Sequence, residues 1–254
     1  MTSLDSLTEH SYRPPATARF LLLQMRNRQD RMRGHEVRCF ARALNIDISQ
    51  AQTFDLVNDS LTKHAMRGFD MVLLGGAGEY SATSDEPWME RAMDSLREVH
   101  AAGKPTFASC WGFQAMARAL GGRVINDTSI AEVGTLPIQL TDDGQSDVLF
   151  GQLPASFDAP MGHEDHVVQL PEEAVHLARS GGVEYQAFSC GQGRIYCTQF
   201  HPELTAVDLV ERVKAYPEYL ERIAGVTLEE FTASLRETPL SGSLMQRFAQ
   251  LAFQ

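Results

Sequence analysis

The sequence predicts an α/β protein with a doubly wound, mainly parallel sheet flanked by helices, to which antiparallel strands and a C-terminal helical tail are added. Three observations favour this fold class. Short apolar runs alternate with helical patterns in the first half of the chain, as in successive βαβ units. Short strand candidates separated by Gly, Pro and Asp fill much of the second half, and beyond residue 205 the pattern is helical and amphipathic.

The first half contains the strands of the predicted parallel sheet. They are nearly continuous apolar runs, as expected for strands that are buried on both faces. They cover residues 19–24, 55–57, 69–74 and 105–108. The helical patterns cover residues 34–44, Pro87–Ala102 and 112–120. Glycine directly follows the second and third of these helices and is expected to end them.

The second half predicts antiparallel hairpins attached to the parallel core. Its strand candidates are residues 135–140, 158–159, 167–170, Val175–Arg179, 185–189 and 194–200. Residues 205–219 and much of the remaining chain follow a helical pattern. We therefore expect a flexible lead-in at residues 1–17, one α/β domain at residues 18–215 and a helical extension at residues 216–254.

The composition excludes several classes of protein. The chain has 254 residues, of which 43% are hydrophobic, enough for the core of one large domain. A formal net charge of −11 argues against nucleic-acid partners, which require a basic surface. No apolar run approaches the roughly 18 residues of a membrane span, and residues 1–15 lack the apolar core of a signal peptide. Four irregularly spaced cysteines form neither a disulfide framework nor a CxxC pair, so we expect a cytoplasmic protein.

Arginines make the N-terminal part locally basic, in contrast to the acidic whole. They are Arg13, Arg19, Arg26, Arg28, Arg31, Arg33, Arg38 and Arg42. The simpler interpretation is a set of solvated surface side chains. The alternative is a patch that binds a partner or an anionic ligand.

Cys110 has the most informative position in the sequence. An apolar run leads to it, and a helical pattern begins directly after it. Such a cysteine is often only a small buried apolar residue. Here, however, Gly112 permits a sharp turn from strand to helix, and the first amides of the helix would lie beside the sulfur. Beside a histidine, a thiol in this position becomes a nucleophilic thiolate, so the sequence predicts a nucleophile elbow.

His201 and Glu203 are the candidate partners of Cys110. They follow the strand candidate at residues 194–200, and alternation along the chain places their side chains on the same side. Glu203 could then accept a hydrogen bond from one ring nitrogen of His201 and fix the tautomer of the ring. Without Cys110, these two residues would be an ordinary surface pair after a strand.

A Gly-Gly-Ala-Gly segment at residues 75–78 follows another strand candidate. It has neither the GxGxxG spacing of a dinucleotide site nor the GxxxxGK[ST] pattern of a phosphate loop, and we expect no cofactor. It is either a simple glycine turn or an oxyanion loop. In the second case the amides of Gly76 and Trp111 would face a developing negative charge.

His163, Asp165 and His166 are residues of the types that bind metals. Neighbouring side chains such as those of Asp165 and His166 point in different directions in an extended chain. The sequence holds no second cluster of ligands that could complete such a site. We therefore expect no metal site.

Together, these motifs resemble those of the class I, triad-type glutamine amidotransferases. Residues 108–114 (Ala-Ser-Cys-Trp-Gly-Phe-Gln) resemble the nucleophile motif of this family, and residues 200–203 (Phe-His-Pro-Glu) resemble its His/Glu motif. Residues 73–78 lie where the family has its oxyanion-loop glycines, and residues 161–167 look like the segment that lines its glutaminase site. The resemblance covers residues 19–204 and is closest to the glutaminase domain of GMP synthetase and its stand-alone relatives.

The resemblance implies a flavodoxin-like fold and a reaction. Cys110 would attack the side-chain amide of glutamine, with His201 as the base and Glu203 as the group that orients it. The oxyanion would lie on Gly76 and Trp111, and a γ-glutamyl thioester would release ammonia before its hydrolysis to glutamate. The implied substrate-binding residues are Gly75, Gln114, His163 and Asp165. Ammonia would pass to a synthetase or another acceptor enzyme as partner, and a homo-oligomer is a further expectation.

The sequence departs from the family pattern at two positions and leaves other functions open. Ala108 replaces the first glycine of the elbow, and Ala77 replaces the proline of the oxyanion loop. We expect no synthetase domain. A γ-glutamyl peptide or amide hydrolase would use the same triad, whereas a homoserine acyltransferase would have a similar elbow and a longer N-terminal part. A regulatory or binding module could retain the fold without the chemistry.

Overall fold

The structure of the protein, a computed structural model, describes residues 12–254. The strands among these residues are β1 (Phe20–Gln24), β2 (Ala51–Asp55), β3 (Met71–Leu74), β4 (Thr106–Ser109), β5 (Arg123–Asn126), β6 (Glu132–Leu140), β7 (Ser156–His163), β8 (Asp165–Gln169), β9 (Val175–Arg179), β10 (Ala187–Cys190) and β11 (Ile195–Thr198). The helices are α1 (Met32–Ala43), α2 (Pro87–Ala102), α3 (Trp111–Ala119), α4 (Asp142–Ser146), α5 (Ala206–Ala215), α6 (Leu228–Ser234) and α7 (Pro239–Ala252). A π-helical segment covers Tyr219–Ala224.

Nine of the strands form one sheet in the order β2-β1-β3-β4-β11-β10-β9-β6-β7. The first five strands in this order pair in parallel, and the other four extend the sheet by antiparallel pairing. β5 and β8 form a separate antiparallel pair. The predicted fold class is confirmed, including its division into a parallel half and an antiparallel half.

Helices cover both faces of the parallel half of the sheet. Leu21 and Leu23 of β1 belong to the core that the sheet shares with α2 and α3. Phe20 and Leu22 point to the opposite face, where α1 and α7 pack. All four side chains are buried. A strand between two helical layers has no solvent-facing side, which explains why the sequence shows a continuous apolar run there.

The last helix contributes to the core of the sheet. Leu244 and Phe248 of α7 are buried in the core on the α1 side. The ring of Phe248 packs edge-on against Phe107 of β4 and Tyr196 of β11, with centroid distances of 5.5 and 5.6 Å. Part of the helical extension at residues 216–254 is therefore packed on the sheet. The predicted division of the chain at residue 215 stays a prediction.

Some predicted elements differ from the structure in extent. β2 ends at Asp55, where the predicted strand began, because this edge strand is only partly buried and lacks a continuous apolar pattern. β5 was not predicted, because its four residues are partly exposed and their partner β8 is distant in sequence. The helical pattern from residue 205 ends at Ala215. The next residue, Tyr216, precedes a proline and leaves the helical region with φ −130° and ψ 76°.

The predicted lead-in at residues 1–17 lies largely outside the described residues. From Tyr12 onward the chain is fixed against the domain, since the backbone carbonyl of Tyr12 accepts a hydrogen bond from the Asn45 side chain at 3.3 Å. No helix within residues 12–254 combines the length and the apolar character that crossing a bilayer requires.

Candidate active site

Three neighbouring strands of the parallel half end at the same edge of the sheet and bring the candidate residues together. The loop after β3 contains residues 75–78, the segment after β4 begins with Cys110, and the segment after β11 contains His201 and Glu203. These three strands are adjacent in the sheet. Ligands of α/β proteins bind outside the carboxyl ends of such strands. The sheet order therefore creates the site from segments that are far apart in sequence.

Cys110 has a strained backbone immediately before α3. Its φ of 53° and ψ of −108° form a combination that few non-glycine residues adopt. Its N–H donates to the Thr198 carbonyl of β11 at 2.8 Å. Gly112 approaches β3 so closely that a Cβ atom there would lie 2.6 Å from the Cβ of Leu74. This is the geometry of the predicted elbow, and it requires glycine at position 112.

His201 and Glu203 form a buried pair. The Nδ1–H of His201 donates to Oε1 of Glu203 at 2.7 Å, and both side chains are almost fully buried. The backbone N–H of His201 donates to the Pro160 carbonyl of β7 at 2.9 Å, which fixes the segment after β11. The hydrogen bond leaves Nε2 as the ring nitrogen with a free lone pair.

Gly76 lies between the candidate nucleophile and the candidate base. A Cβ atom at this position would be 3.2 Å from Cε1 of His201 and 3.7 Å from Cβ of Cys110. Cys110, His201 and Gly76 also line the same cavity. The three residues that the sequence placed in separate motifs therefore meet.

Arg212 is a site residue that the sequence reasoning missed. It extends from α5, with Nη1 at 3.4 Å from Nδ1 of His201 and Nη2 at 3.5 Å from Oε1 of Glu203. Its side chain is buried. The sequence did contain a signal for this role. Arg212 lies on the same face of α5 as Leu209 and Val213, which are both buried. An arginine on an apolar face needs a buried partner, and that partner is the His–Glu pair.

Burial controls the protonation of Cys110. Burial raises the pKa of the Cys110 thiol to about 12, although Arg212 and the Trp111 amide act in the opposite direction. The thiol donates to the Gly162 carbonyl, with 3.6 Å between sulfur and oxygen. Burial therefore opposes the thiolate that the sequence predicts at the start of the helix, because the cost of burying the charge acts against the helix amides.

The His–Glu pair has the protonation states that a general base requires. Burial lowers the pKa of His201, and Arg212 adds to this effect, although Glu203 acts against it. Burial alone would raise the pKa of Glu203, but the interactions with His201 and Arg212 hold it below its ordinary value. At neutral pH the pair is therefore a neutral imidazole beside a carboxylate.

A second, larger cavity of about 140 Å³ also borders Cys110. Three of the predicted substrate-binding residues line it, namely Gln114, His163 and Asp165. The Asp165 carboxylate accepts hydrogen bonds from Ser81 Oγ at 2.7 Å and from the Ala82 N–H at 2.8 Å. It therefore holds the loop after β3 in place, in addition to lining the cavity.

Gln114 and His163, two residues in the wall of this cavity, are held in place by hydrogen bonds. Nε2 of Gln114 donates to the Asp165 carbonyl at 2.9 Å and to Oε1 of Gln199 at 3.0 Å. Nε2 of His163 lies 3.0 Å from Oε2 of Glu132, whose pKa His163 helps to lower against the effect of burial. These side chains form a rigid wall.

Gly75, the fourth predicted substrate-binding residue, lies behind the site. It is absent from the residues that line either cavity. Its carbonyl accepts a hydrogen bond from the Gly112 N–H at 3.1 Å, and a Cβ atom there would overlap the Glu36 carboxylate at 2.2 Å. The structure thus places Gly75 as a support of the elbow.

Arg26 does not fit the interpretation of the basic segment as surface arginines. It is 2% exposed and lines the smaller cavity beside Cys110. Its guanidinium donates to Glu36 at 3.2 Å, to Asp30 at 3.2 Å and to the Tyr216 hydroxyl at 2.7 Å. Arg26 follows β1, so it reaches the same edge of the sheet as the site.

One cluster of ligand-type side chains lies beside the site, formed by His35, Cys39 and Asp208. Their ligand atoms are within 4.8 Å of one another. The Asp208 carboxylate already accepts hydrogen bonds from Arg42 and Thr205. Together with the contact between His35 and Asp208, these hydrogen bonds form a polar network between α1 and α5.

The fold and the site define an α/β protein with a cysteine at a strand-to-helix elbow and a buried His–Glu pair next to it. The model of one family, described as "Glutamine amidotransferase class-I", matches residues 34–209. The chain therefore belongs to the class I glutamine amidotransferase family. This confirms the resemblance stated from the motifs.

Curated relatives are similar to part of the chain. A GMP synthase [glutamine-hydrolyzing] from Aliivibrio salmonicida is 36% identical over 136 residues, which cover 54% of this chain and 24% of the relative. The corresponding protein from Aeropyrum pernix is 32% identical over 158 residues, which cover 62% of this chain and 28% of the relative. The chain thus spans about a quarter of the length of these relatives.

Solved structures share the fold over nearly the whole chain. A glutamine amidotransferase from Thermotoga maritima has a TM-score of 0.73 at 20% identity, covering 94% of this chain and 99% of that one. A glutamine amido transferase from Methylobacillus flagellatus has a TM-score of 0.67 at 19% identity, covering 94% and 96%. Most of residues 216–254 therefore lie within the part of the fold that these structures share.

Proposed function

We propose that the protein hydrolyses the side-chain amide of glutamine through a γ-glutamyl thioester on Cys110 and delivers ammonia to an acceptor enzyme. The observation that carries this proposal is the 2.7 Å hydrogen bond between His201 and Glu203 on the cavity that also contains Cys110. A nucleophile, a base and the group that orients the base are the parts of a hydrolase triad.

The first step forms the thioester bond. Nε2 of His201 takes the proton from the Cys110 thiol as sulfur attacks the amide carbon, so the thiolate forms only during attack. Glu203 stabilises the resulting imidazolium through the hydrogen bond to Nδ1. The carbonyl oxygen becomes an oxyanion, and the backbone N–H groups of Gly76 and Trp111 donate to it. Loss of one such donor typically costs about 3 kcal/mol of transition-state stabilisation.

The second step releases ammonia, and the third releases glutamate. The carbon–nitrogen bond breaks as His201 returns its proton to the leaving nitrogen, which departs as ammonia. A water molecule then attacks the thioester carbonyl while His201 takes one of its protons. The carbon–sulfur bond breaks, the proton passes to sulfur, and glutamate leaves with Cys110 restored.

The relatives support a synthetase-type partner. The curated relatives are glutamine-hydrolysing GMP synthases, in which the matched region is about a quarter of the protein. We therefore assign the ammonia of this chain to a synthetase-type partner. A γ-glutamyl amide hydrolase would use the same steps with a larger amine as the leaving group.

Replacement of Cys110 tests the proposal. Cys110→Ala should lose nearly all glutamate release from glutamine, because no other group can form the thioester. The matched control is Cys190→Ala, which removes another buried thiol from β10, outside the site, and should keep its activity. Glutamate release is measured with and without the candidate synthetase partner.

Labelling provides a second measurement that does not need turnover. A diazo-ketone analogue of glutamine should alkylate Cys110 in the wild type, and peptide mass spectrometry locates the adduct. A fully active Cys110→Ala variant, or a wild type that never forms the adduct, contradicts the proposal. Absence of the adduct in the wild type would favour the alternative of a regulatory or binding module without catalytic activity.

A further inference from the structure

Arg42, one of the arginines of the N-terminal part, joins α1 to the segment that carries the His–Glu pair. It lies in the last turn of α1. Its Nη2 donates to the backbone carbonyl of Glu203 at 3.1 Å, and its Nη1 donates to Oδ1 of Asp208 at 3.2 Å. Nη2 also donates to Oδ2 of Asp208. One guanidinium therefore contacts both ends of residues 203–208.

Residues 203–208 connect the two groups that act on His201. Glu203, at the start of this segment, accepts the hydrogen bond from His201. Asp208, at its end, lies in the first turn of α5, and Arg212 follows one turn later on the same helix. Because Arg42 spans the segment, it fixes the Glu203 carboxylate relative to the helix that brings Arg212 to the ring.

The Glu203 carboxylate depends on its backbone for its position. Oε1 accepts a hydrogen bond from Nδ1 of His201 at 2.7 Å, whereas Oε2 finds no hydrogen-bond partner within residues 12–254. A group held by a single hydrogen bond moves when its backbone moves. The bond from Arg42 to the Glu203 carbonyl is therefore important for the geometry of the base.

Asp208 is a firm anchor for the other end of the Arg42 contact. Its Oδ2 accepts a hydrogen bond from the Thr205 N–H at 2.8 Å, and its own N–H donates to Oγ1 of Thr205 at 3.3 Å, which closes a capping box. Nε2 of His35 lies 3.3 Å from Oδ1. Although burial acts in the opposite direction, His35, Thr205 and Arg42 hold the pKa of Asp208 well below its ordinary value. The carboxylate therefore stays ionised, and the pair with Arg42 persists at working pH.

Arg42 acts from a rigid helix outside the cavities beside Cys110. Phe40 and Leu44, on either side of it in sequence, are both buried in the core between α1 and the sheet. The Arg42 side chain is half-exposed, and Arg42 lines neither cavity beside Cys110. It can therefore affect the reaction only through the residues that it holds.

We infer that Arg42 is a positioning residue for the reaction, which holds Glu203 and the start of α5 so that the carboxylate and Arg212 both meet His201. The inference rests on the proposed function, because His201 is the base of that reaction. It assigns a role to one of the arginines that the sequence left as either solvated side chains or a binding patch.

Replacement of Arg42 tests the inference. Arg42→Met should lower kcat for glutamine by about 10- to 100-fold, because small displacements of catalytic groups have effects of this size. KM should change little, since Arg42 lines neither cavity. The matched control is Arg38→Met, an exposed arginine one turn earlier on α1, whose guanidinium lies beside Gly34. Active sites are counted by the diazo-ketone adduct on Cys110, so that loss of folded protein is not read as loss of kcat.

The pH profile of kcat provides a readout that a merely structural role would not move. Arg212 adds to the effect of burial in lowering the pKa of His201. Displacement of Arg212 in Arg42→Met raises this pKa, so the acidic limb should move to higher pH. The charged or titratable groups around the ring are Glu203, Arg212, His163 and Cys110. The shift should be absent when Arg42→Met is added to Arg212→Met, because the charge that Arg42 positions is then gone.

Two further variants probe the contact from both sides. Arg42→Lys keeps the charge but lacks the planar fork that reaches two acceptors, so it should recover only part of the activity. Asp208→Asn keeps the size of the side chain and weakens the pair from the other partner. It should shift kcat and the acidic limb in the same direction as Arg42→Met, so the test stands if Arg42→Met does not fold.

The outcomes separate the inference from the function on which it rests. Wild-type kcat in Arg42→Met, wild-type behaviour of Arg42→Lys, or an acidic limb that stays in place overturns the positioning role and leaves the glutaminase intact. A further shift of the limb when Arg42→Met is combined with Arg212→Met also contradicts it. Failure of the proposed function appears differently, as absence of glutamate release and of the Cys110 adduct in the wild type.

Discussion

Arg212 is a buried cation that contacts both members of the His–Glu pair. Its Nε and Nη2 atoms find no hydrogen-bond partner within residues 12–254, although Nη2 lies 3.5 Å from Oε1 of Glu203. A neighbouring positive charge disfavours the imidazolium form of His201 and favours the carboxylate form of Glu203. In the proposed reaction, Arg212 is therefore a positioning residue that keeps His201 neutral over a wider range of pH.

Replacing Arg212 should move the pH dependence of the reaction. His201 must be neutral to accept the thiol proton, so activity falls as pH drops through the pKa of His201. Arg212 lowers this pKa, and its removal in Arg212→Met raises the pKa and shifts the acidic limb of kcat/KM to higher pH.

The control for this prediction is Arg67→Met, an exposed arginine before β3 at the opposite edge of the sheet. Its profile should match the wild type. If Arg212→Met loses activity equally at every pH and the acidic limb of its kcat/KM profile does not shift, Arg212 has a purely structural role instead.

At the scale of residues, the sequence predicts side chains that lie at strand ends and misses those that arrive from other elements. Cys110, His201 and Glu203 follow buried strands directly, so local pattern places them at the carboxyl edge. Arg26 and Arg212 reach the site from a loop and a helix. Their side chains point inward because of packing between distant elements, which no local pattern contains.

At the scale of elements, α7 connects the end of the chain to the middle of the sheet. Phe248 is 2% exposed and touches rings from β4 and β11, the strands that lead to Cys110 and His201. Aromatic contacts of this kind add to the free energy of burial. The helix therefore supports the strands from the face opposite α3.

Phe248→Ala should lower the free energy of unfolding by about 3–5 kcal/mol, because it leaves a cavity between helix and sheet. The measurement is urea unfolding followed by circular dichroism. Leu251→Ala on the same helix is the matched control, since Leu251 is 37% exposed and its loss should cost much less. Equal effects of the two substitutions would mean that α7 does not form part of the core.

The parallel strands and the long helices could be predicted because the pattern of apolar residues in each one matches the face or faces that it buries. The prediction of α2 has the observed bounds, Pro87–Ala102. β5 was missed because its residues are partly exposed and gain their strand structure from pairing with β8, whose residues lie 39 to 46 positions further along the chain. The local sequence therefore indicates whether an element is buried, but it does not indicate which distant strand the element pairs with.

At the scale of the whole molecule, the buried thiols make the free energy of unfolding depend on pH in the alkaline range. Burial raises the pKa of Cys39, Cys110 and Cys190 to about 12 each, and it also raises the pKa of Cys197. In an unfolded chain a thiol has a pKa of about 8.5. The folded state therefore retains these protons over a range in which the unfolded state releases them.

The stability that comes from this difference is fully present below about pH 8.5 and is lost as pH rises toward 12. The urea midpoint should fall between pH 8 and pH 10 without a change in fold. A double variant, Cys190→Ala with Cys197→Ala, should show a smaller fall relative to its own value at pH 8. A midpoint that stays constant in the wild type would contradict the thiol assignment.

The order of the strands is the property of the whole molecule that the sequence reasoning could not supply. Alternation of strands and helices predicts a parallel sheet, but nothing local shows that β11 pairs with β4. That pairing brings His201 next to Cys110. The resemblance to a known family supplied this information in advance, because the family motifs imply the contact.

The hydrogen bond from Arg26 to Tyr216 joins residues that are 190 positions apart. A chain emerges from the ribosome N-terminus first, so Arg26 is synthesised long before the tyrosine that it holds. β1, β3, β4 and β11 are all complete before residue 216 is added. Tyr216 and Tyr219 are therefore the last residues of the cavity beside Cys110 to be synthesised.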